Sequence, residues 1–571
     1  MEKYNAWLSD PYFDEEAKKD LESIQGNEKE IEDRFYRDLE FGTGGLRGKL
    51  GIGTNRMNIY TVRKATQGVA DYINSQDVQG EKSVAIAYDS RNMSREFALE
   101  TALCFNANGI KAYLFTNERS TPELSFTIRY FHATAGIVIT ASHNPAQYNG
   151  YKVYWTHAAQ ITPPQDSEII SYVNAVTDYH SIKSISEKEA LQAGLLGYID
   201  KEVDDAFIEG AKKVSFTDED ISKEKASIKI VYTPLHGTGA MPVLRILRES
   251  GYNSVVPVQE QLEPNGDFPT VEFPNPEEPS AFAMALKLAE KENAEIVLAT
   301  DPDSDRLGLY AKGNDGSYHS FNGNMIGSML ADYILTQLSA SGKMPENAMM
   351  VKTIVTTNML RAITDRFGVK IDEVLTGFKY IGEKINEYER DNSYQYLFGM
   401  EESYGYLANS YVRDKDAVSS VVLICEMAAY YKKYGKNLCE VMQDLYGKYG
   451  YYKEILSYIV LDGAQGAAKI HSIMENLRKS SPKSIGSEPV LRFRDYLYGE
   501  ETDIQTGEKS PVTLNKSDVV YFVLQDNGFV CVRPSGTEPK IKLYISVSDK
   551  DEATASARIE QIEAEMKKMF D

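Results

Sequence analysis

A strand–helix alternation that begins three times along the chain constrains its fold more than any other feature. Between residues 83 and 150, the segments SVAIAY, IKAYLF and AGIVIT are apolar and β-branched, and longer helical patterns separate them. The alternation restarts near residue 228 and again near residue 323. Such a pattern favours strands covered by helices on both faces of a sheet. We therefore predict an α/β fold with three similar mixed-sheet domains.

The pattern changes after about residue 452. The segment VVYFVLQDNGFVCVRPSGTEPKIKLYISVS reads as strands joined by turns, and a helix with Ile559, Ile562, Met566 and Met569 on one face follows it. This order predicts a smaller antiparallel α+β domain at the C-terminus. The predicted domains cover residues 1–200, including a helical N-terminal extension, and residues 201–321, 322–452 and 453–571.

Charge and cysteine usage limit the class of partner. The chain has 62 Lys and Arg against 84 Asp and Glu, a net charge of -22. This field repels nucleic acids and anionic membranes, so we expect neither as a partner. The four cysteines are scattered without CxxC spacing, which argues against a zinc site or a disulfide framework. The acidic N-terminus lacks the apolar segment of a secretory signal, and we predict a cytoplasmic monomer or homodimer.

The segment TASHNP follows the apolar run Ile137–Ile139 and includes a candidate nucleophile. Pro145 cannot continue a strand ladder. Ser142 is therefore presented at the end of a buried strand, where α/β enzymes place reactive groups. His143 and Lys152 are near it in sequence. From this segment alone, an ordinary strand-to-turn junction remains an alternative.

The segment DPDSDR has carboxylates at alternate positions, Asp301, Asp303 and Asp305. Clustered carboxylate oxygens suit a hard divalent cation. A calcium loop is excluded because Arg306 and Lys312 occupy its glycine and glutamate positions. A solvated acidic turn is less consistent with three like charges directly after a buried strand. We predict a Mg²⁺ site with room for a phosphate oxygen and water.

Two glycine-rich segments carry weaker signals. FGTGGLRGKLGIGTNRMN does not fit a dinucleotide fingerprint, and its functional interpretation is a loop that delivers Arg47. A plain structural turn remains the alternative. HGTGA, at residues 236–240, could bind a phosphate, but a tight strand-to-helix turn needs the same glycines and is the favoured interpretation.

Two further segments suit sugar and phosphate groups. In FGMEESYG, Glu401 and Ser403 point the same way if the segment is extended, and they suit vicinal sugar hydroxyls, with an acidic turn as the alternative. In VRPSGTEPK, Arg533 offers a bidentate fork for phosphate, and the turn around Gly536 can expose backbone N–H groups to an anion. We favour a phosphate site there over a simple hairpin turn.

Taken in order, TASHNP, DPDSDR, MEES and RPSGTEPK resemble the motifs of the α-D-phosphohexomutase superfamily. FGTGGLRG and the acidic segment before it resemble the branch that includes phosphopentomutases. The resemblance implies three similar α/β domains and a smaller C-terminal domain around a central cleft. One departure is Met400, where many members have glycine before the glutamate.

The resemblance also implies roles for individual residues. Ser142 would carry the transferable phosphate and would bind one Mg²⁺ together with Asp301, Asp303 and Asp305. Arg47, His143 and Lys152 would surround the reacting oxygen, with Lys152 as the candidate to take the hydroxyl proton. The implied sugar-contacting residues are Arg306, Thr376, Gly377, Lys379, Glu401, Ser403 and Lys415. The implied site for the non-transferred phosphate comprises Arg533, Ser535, Gly536 and Thr537.

The expected function is reversible interconversion of glucose 1-phosphate and glucose 6-phosphate, with a phosphoserine enzyme and glucose 1,6-bisphosphate as intermediate and activator. Mannose or pentose phosphates as substrates of the same mechanism remain an alternative. A non-catalytic sensor of sugar bisphosphates should have lost the nucleophile or a metal ligand, and all four residues are present. A phosphatase with Asp301 as nucleophile would leave Ser142 and the segment 533–537 without a role.

Overall fold

The computed structural model describes all residues except 43, 79, 462, 536–539 and 571. The chain forms two compact units, which are described separately. One comprises residues 1–323 and 378–437, and the other comprises residues 324–377 and 438–571. Among the described residues, no helix combines the length and apolar character that crossing a bilayer requires.

Three short helices form the N-terminal extension. Trp7 stacks on Phe13 with ring centroids 4.1 Å apart and contacts Phe35 edge-on at 5.7 Å. Asp14 caps the second helix through a hydrogen bond from the Ala17 N–H group. These rings belong to a hydrophobic core that all three helices share. The helices are α1 (Glu2–Ser9), α2 (Glu15–Ser23) and α3 (Glu28–Phe35).

The first sheet has six strands in the order β1-β5-β4-β2-β3-β6. Strands β4, β2, β3 and β6 run parallel, whereas β5 pairs antiparallel with β4 and with β1. Every residue of β2 and β4 is buried, as expected for strands covered on both faces. The elements are β1 (Gly45–Lys49), α4 (Ile59–Ser75), β2 (Ser83–Tyr88), α5 (Ser94–Ala107), β3 (Lys111–Phe115), α6 (Thr121–Phe131), β4 (Ala135–Ile139), β5 (Tyr148–Trp155), α7 (Gln165–Ala175), α8 (Glu187–Gln192) and β6 (Leu196–Ile199).

The second sheet has five strands in the order β11-β10-β9-β7-β8. Strands β9, β7 and β8 run parallel, and β10 pairs antiparallel with β9 and β11. The buried strand β9 ends directly before the three aspartates. The elements are α9 (Lys201–Ala211), α10 (Ser222–Ser227), β7 (Ile230–Thr233), α11 (Ala240–Glu249), β8 (Val255–Pro257), α12 (Ala283–Glu292), β9 (Ile296–Thr300), β10 (Leu307–Lys312) and β11 (Tyr318–Phe321).

The third α/β segment is divided between the two units. In the unit of residues 324–377 and 438–571, β12 and β13 pair in parallel. In the unit of residues 1–323 and 378–437, β14 and β15 form an antiparallel hairpin. Gly368 ends α14 with a φ of 67°. The elements are α13 (Gly323–Ala340), β12 (Ala348–Thr353), α14 (Met359–Phe367), β13 (Lys370–Val374), α15 (Phe378–Asp391), β14 (Gln395–Glu401), β15 (Gly405–Ala408) and α16 (Ala417–Lys433).

The C-terminal part is an antiparallel sheet in the order β16-β24-β23-β22-β19-β20-β21, with a separate β17–β18 pair. Apolar residues of one sheet face form a core with α18 and α19. This confirms the predicted change from α/β to antiparallel architecture. The elements are α17 (Leu438–Tyr449), β16 (Tyr451–Val460), α18 (Gly463–Lys479), β17 (Ser484–Ile485), β18 (Glu488–Pro489), β19 (Arg492–Asp495), β20 (Glu500–Asp503), β21 (Lys509–Pro511), β22 (Val520–Val523), β23 (Phe529–Pro534), β24 (Lys540–Asp549) and α19 (Glu552–Phe570).

Candidate active site

Ser142 lies in a tight loop directly after β4. Its φ of 52° places it in the left-handed region, and only 4% of the residue is exposed. The Ser142 N–H donates to Thr140 Oγ1 at 2.8 Å, and Thr140 Oγ1 donates to Asp89 Oδ2 at 2.6 Å. Ser142 Oγ donates to Asp301 Oδ2 at 2.8 Å and lies 3.2 Å from His143 Nδ1. The loop therefore holds the serine hydroxyl against the first of the three aspartates.

Arg91 holds this loop from behind, although the sequence analysis did not identify it. Its guanidinium pairs with Asp89 at 3.2 Å, and neither side chain is exposed. The same guanidinium donates to four backbone carbonyls of the serine segment, those of Ser142, Asn144, Pro145 and Tyr148. Because these carbonyls turn inward, a buried cation satisfies several of them at once.

Asp301, Asp303 and Asp305 converge after β9, as predicted. One carboxylate oxygen from each lies within 4.8 Å of the others, and all three residues are buried. Asp301 Oδ1 accepts hydrogen bonds from the N–H groups of Asp305 at 3.1 Å and Arg306 at 3.0 Å. These backbone donors fold the segment into a turn with its carboxylates directed to one point.

The HGTGA segment supports this turn. Thr238 Oγ1 donates to the Pro302 carbonyl and lies 3.0 Å from Ser304 Oγ. A Cβ atom on Gly237 would lie 2.4 Å from Pro302 Cα, so only glycine allows this approach. These contacts support the structural interpretation favoured from the sequence.

Two lysines face the aspartates. Lys152 Nζ lies 3.0 Å from Asp303 Oδ2, and Lys415 Nζ lies 3.1 Å from Asp305 Oδ2. Thr121 Oγ1 also donates to Asp303 Oδ2 at 2.8 Å. Among the described residues, however, the buried Oδ1 atoms of Asp303 and Asp305 have no hydrogen-bond donor. Buried carboxylate oxygens without donors fit a divalent cation, which is an oxygen-binding Lewis acid.

The carboxylates influence one another's ionisation. Burial, followed by the charges of Asp303 and Asp305, raises the pKa of Asp301 well above its usual range. Burial opposes ionisation of Asp303 too, but the charge of Lys152 and the hydrogen bonds with Asp301, Lys152 and Thr121 together outweigh it, and the pKa of that carboxyl is lowered. The cluster is thus under electrostatic repulsion, which a bound cation would relieve.

Arg47 and His143 lie near the same point. Arg47 is on β1, opposite Gly150 of β5, and Gly45 of the same strand is opposite Lys152. Burial, then the charges of Arg306 and Arg47, lowers the pKa of His143 well below its usual value. His143 is therefore a neutral imidazole near neutral pH.

The Glu401 segment adopts a turn, which the sequence left open as the alternative to an extended segment. Glu401 ends β14, but Ser403 lies in the turn before Gly405, which pairs with Glu401. The segment is a hairpin turn rather than an extended strand, so strand alternation does not direct the two side chains alike. Burial raises the pKa of Glu401 to about 7, opposed by the charge of Lys415.

Arg306 and Lys379 also belong to this unit. The Arg306 guanidinium pairs with Glu277, and the Arg306 backbone forms a bridge with Gly405 of the hairpin. Lys379 Nζ lies 3.7 Å from the buried Asp166, and burial lowers the pKa of Lys379. The aspartate turn and the Glu401 hairpin are therefore directly joined.

The other unit contains the remaining predicted residues. Arg533, at the end of β23, donates to Thr376 Oγ1, and the neighbouring Gly377 has a φ of 117°. The Ser535 N–H donates to the Lys540 carbonyl at 2.8 Å. Gly536 and Thr537 lie outside the described residues.

Asp89, Arg91, Thr121 and Glu277 contact the site residues but were not singled out from the sequence. The sequence did contain a signal for Asp89 and Arg91, because YDSR places an acidic and a basic residue directly after a fully buried strand. Thr121 and Glu277 gave no comparable signal, because they reach the site through tertiary contacts.

Comparisons with known proteins agree with the motifs. Models of the phosphoglucomutase/phosphomannomutase family match the chain with α/β/α domain I at residues 38–180, domain II at 205–314, domain III at 322–449 and the C-terminal domain at 500–566. A phosphoglucomutase from Staphylococcus saprophyticus is 38% identical over 550 residues, covering 96% of this chain and 97% of the relative.

Two further known proteins are similar to this chain. A Staphylococcus epidermidis phosphoglucomutase is 36% identical and covers 95% of this chain and 96% of its own length. The open form of the Paramecium phosphoglucomutase parafusin has the same fold, with a TM-score of 0.68 at 17% identity over 94% of this chain and 95% of that chain. The chain therefore belongs to the phosphoglucomutase/phosphomannomutase family.

Proposed function

We propose that this enzyme interconverts α-D-glucose 1-phosphate and glucose 6-phosphate through a phosphoserine at Ser142. The observation that carries the proposal is the hydrogen bond from Ser142 Oγ to Asp301, which belongs to a cluster of three buried aspartates. The other two each have a carboxylate oxygen without a donor among the described residues. A nucleophilic hydroxyl held beside a cation site suits phosphoryl transfer. The full-length relatives named phosphoglucomutase support glucose as the sugar.

In the proposed reaction, phosphorylated Ser142 gives its phosphoryl group to the free hydroxyl of a sugar monophosphate. The bond from phosphorus to Ser142 Oγ breaks, a bond to the sugar oxygen forms, and the product is glucose 1,6-bisphosphate. The bisphosphate then turns over and returns its other phosphate to Ser142. Closing the cycle requires a small pool of glucose 1,6-bisphosphate as activator.

Asp301, Asp303, Asp305 and Ser142 are the proposed ligands of one Mg²⁺. When bound, Mg²⁺ would supply charge neutralisation for the transferring phosphoryl group. The Oδ1 atoms of Asp303 and Asp305, which have no donor in the described part of the chain, support this ligand set. A structural consequence is relief of the repulsion among the three carboxylates.

Lys152 is the proposed acceptor of the proton from the sugar hydroxyl, a role that requires its neutral amine and not the ammonium that pairs with Asp303. Its Nζ atom pairs with Asp303 at 3.0 Å, and Ser142 Oγ donates to Asp301 of the same aspartate cluster. Arg47 and neutral His143 would orient the phosphoryl oxygens. Arg306, Thr376, Gly377, Lys379, Glu401, Ser403 and Lys415 are the proposed sugar contacts, and Arg533, Ser535, Gly536 and Thr537 are proposed for the non-transferred phosphate.

Several finer assignments remain proposals. We propose sugar phosphates as the ligands, a cytoplasmic location, and a monomer or homodimer. The four domain boundaries predicted from the sequence also stay predictions.

A coupled assay tests the proposal. Purified protein is mixed with Mg²⁺, a trace of glucose 1,6-bisphosphate and glucose 1-phosphate, and glucose 6-phosphate is followed. We expect rapid formation that a chelator abolishes, and intact-mass measurement should show one phosphate on Ser142. Absence of product from folded, phosphorylated protein would reject glucose as the substrate.

The same assay should be run with mannose, ribose and deoxyribose 1-phosphates. Glu401 and Ser403 can accept or donate to vicinal hydroxyls without sensing the configuration at a neighbouring carbon. A higher kcat/KM for one of these sugars would retain the mechanism and replace the substrate. Phosphate found on Asp301 instead of Ser142 would contradict the mechanism itself.

A further inference from the structure

The proline-rich loop at residues 262–278 is a segment to which the proposed function gives no role. It contains Pro264, Pro269, Pro274 and Pro276 and connects β8 to α12 in the second sheet domain. A loop of this length without regular structure is uncommon in a compact domain unless it has a function. Its contacts lead to both halves of the candidate active site.

One end of the loop contacts the support of the serine segment. The Phe268 ring lies against the Arg91 guanidinium, with the guanidinium carbon 5.0 Å from the ring centroid, and Phe268 is only 2% exposed. Asp267 Oδ1 accepts a hydrogen bond from Asn92 Nδ2 at 2.7 Å. A Cβ atom on Gly266 would lie 2.3 Å from the Asn92 backbone nitrogen. These contacts are tight and leave little freedom for the Arg91 segment.

The other end of the loop contacts the aspartate turn. Glu277 pairs with Arg306, the residue directly after Asp305. A Cβ atom on Gly308 would lie 2.7 Å from the Pro276 carbonyl oxygen, so the loop also packs closely on β10. The charge of Glu277 raises the pKa of Arg306 against the effect of burial, which keeps this cation ionised.

Residues on either side of Phe268 also form hydrogen bonds with the turn that supports the aspartates. The Asn265 N–H donates to the His236 carbonyl at 3.0 Å, and Thr270 Oγ1 lies 2.9 Å from His236 Nε2. The neighbouring Thr238 contacts Pro302 and Ser304. The loop thus follows a continuous path from Arg91 to Arg306.

We propose that residues 262–278 act as a positioning clamp, in which Phe268 and Asp267 fix the Ser142 loop relative to the aspartate turn. The proposal rests on the proposed phosphoryl transfer at Ser142. The serine loop belongs to the first sheet and the aspartates to the second, so their spacing depends on what connects the two sheets. Phosphoryl transfer needs this spacing, and a displacement of about 1 Å can cost ~100-fold in rate.

The test compares two identical substitutions in one loop. Phe268→Ala removes the ring against Arg91, whereas Phe273→Ala removes a ring that is 43% exposed. We expect Phe268→Ala to lower the single-turnover rate of phosphate transfer from Ser142 by ~10- to 100-fold with a small change in KM. Phe273→Ala should match the wild type. Phe268→Leu, which retains bulk, should recover part of the rate.

A second measurement does not depend on the substrate. Hydrogen exchange followed by mass spectrometry reports the protection of backbone amides in the peptide that covers residues 140–148. We expect faster exchange there in Phe268→Ala and Asp267→Ala and wild-type exchange in Phe273→Ala. If Phe268→Ala does not fold, Phe268→Leu and Asp267→Ala decide by the same two criteria.

Two outcomes would overturn the clamp: wild-type transfer and exchange in the folded Phe268 variants, or equal effects of the Phe268 and Phe273 substitutions. Failure of the proposed function would give a different result from these two outcomes. In that case wild-type protein would take no phosphate on Ser142 from glucose, mannose or pentose bisphosphates, while the exchange data would still test the clamp.

Discussion

The serine loop and the aspartate turn are built alike but completed differently. Each follows a fully buried five-residue strand, and each contains a non-glycine residue in the left-handed region, Ser142 at 52° and Ser304 at 54°. In the serine loop, Arg91 and Asp89 satisfy the inward-facing polar groups. In the aspartate turn, two buried carboxylate oxygens have no donor among the described residues.

This difference separates a preorganised nucleophile from a site that needs a ligand. The cation that supports the serine loop, Arg91, is part of the protein, so the geometry of the loop does not depend on a bound ligand. The aspartate turn keeps three carboxylates together although burial and mutual repulsion oppose their ionisation. A divalent cation is the natural completion of such a cluster.

Removing the nucleophile should give the largest effect. Ser142→Ala keeps the backbone bond to Thr140 and loses only the Oγ contacts, so the fold should be retained. We expect the mutase rate to fall by at least about 1000-fold, because no group remains to carry the phosphate. Steady-state assays with circular dichroism as a folding control check this. A rate within tenfold of the wild type would show that Ser142 is not the phosphate carrier.

Neutralising one aspartate should affect activity and stability in opposite directions. Asp301→Asn is expected to lower activity and divalent-cation affinity by at least about 100-fold. The metal-free protein should become more stable by ~1 kcal/mol, because repulsion with Asp303 and Asp305 is reduced. Calorimetric Mg²⁺ titration and thermal unfolding in chelator measure the two effects.

Asp315→Asn is the matched control, since Asp315 is exposed and outside the cluster. Asp315→Asn should change neither the Mg²⁺ affinity nor the stability of the metal-free protein. If Asp301→Asn destabilises the metal-free protein, the aspartate turn is not under repulsion and the contrast with the serine loop is wrong.

Breaking the Arg91–Asp89 pair should mainly cost stability and rigidity. Arg91→Ala leaves Asp89 buried without its cation, which typically costs about 3–5 kcal/mol. Arg129→Ala removes a partner from an exposed pair with Glu389 and should cost under about 1 kcal/mol. Denaturant unfolding compares them. Similar costs for the two variants would mean that the serine loop holds its shape without Arg91.

Glu454 is a buried carboxyl without acidic neighbours, so it shows the effect of burial on a carboxyl pKa without mutual repulsion. Its substitution should give the smallest effect of these predictions. Burial raises the pKa of Glu454 on β16 to about 7, against hydrogen bonds from Thr357, Ser546 and Asn324. A carboxyl whose pKa is raised by folding contributes stability below its unfolded pKa, and this is lost as the pH rises through about 7. Glu454→Gln should flatten the decline in Tm between pH 5 and 8 by about 1–2 °C. An unchanged pH profile would show that Glu454 does not titrate in this range.

Much of the architecture followed from sequence patterns. The buried strands before TASHNP and DPDSDR and the change to antiparallel strands after residue 452 are local signals, so they were predictable. The convergence of Asp301, Asp303 and Asp305 was also predictable, because adjacent residues in a turn cannot separate far.

Contacts between distant segments were not predictable. One local feature was left open as well: the sequence allowed either an extended segment or an acidic turn at Glu401 and Ser403, and pairing of Glu401 with Gly405 makes a hairpin turn. Ser142 and Asp301 are 159 residues apart, yet they share a hydrogen bond. Ser142 and Asp301 become partners because the folded chain brings the edges of their two sheets together.

The sequence by itself determined the types of group at the ends of the strands and therefore the chemistry available. Only the tertiary structure decided that Arg91 satisfies the serine loop, that Lys152 and Lys415 face the aspartates, and that residues 262–278 join the two. The physical reason is that strand and turn propensities act over a few residues, whereas burial and charge pairing act between side chains that only the folded chain brings together.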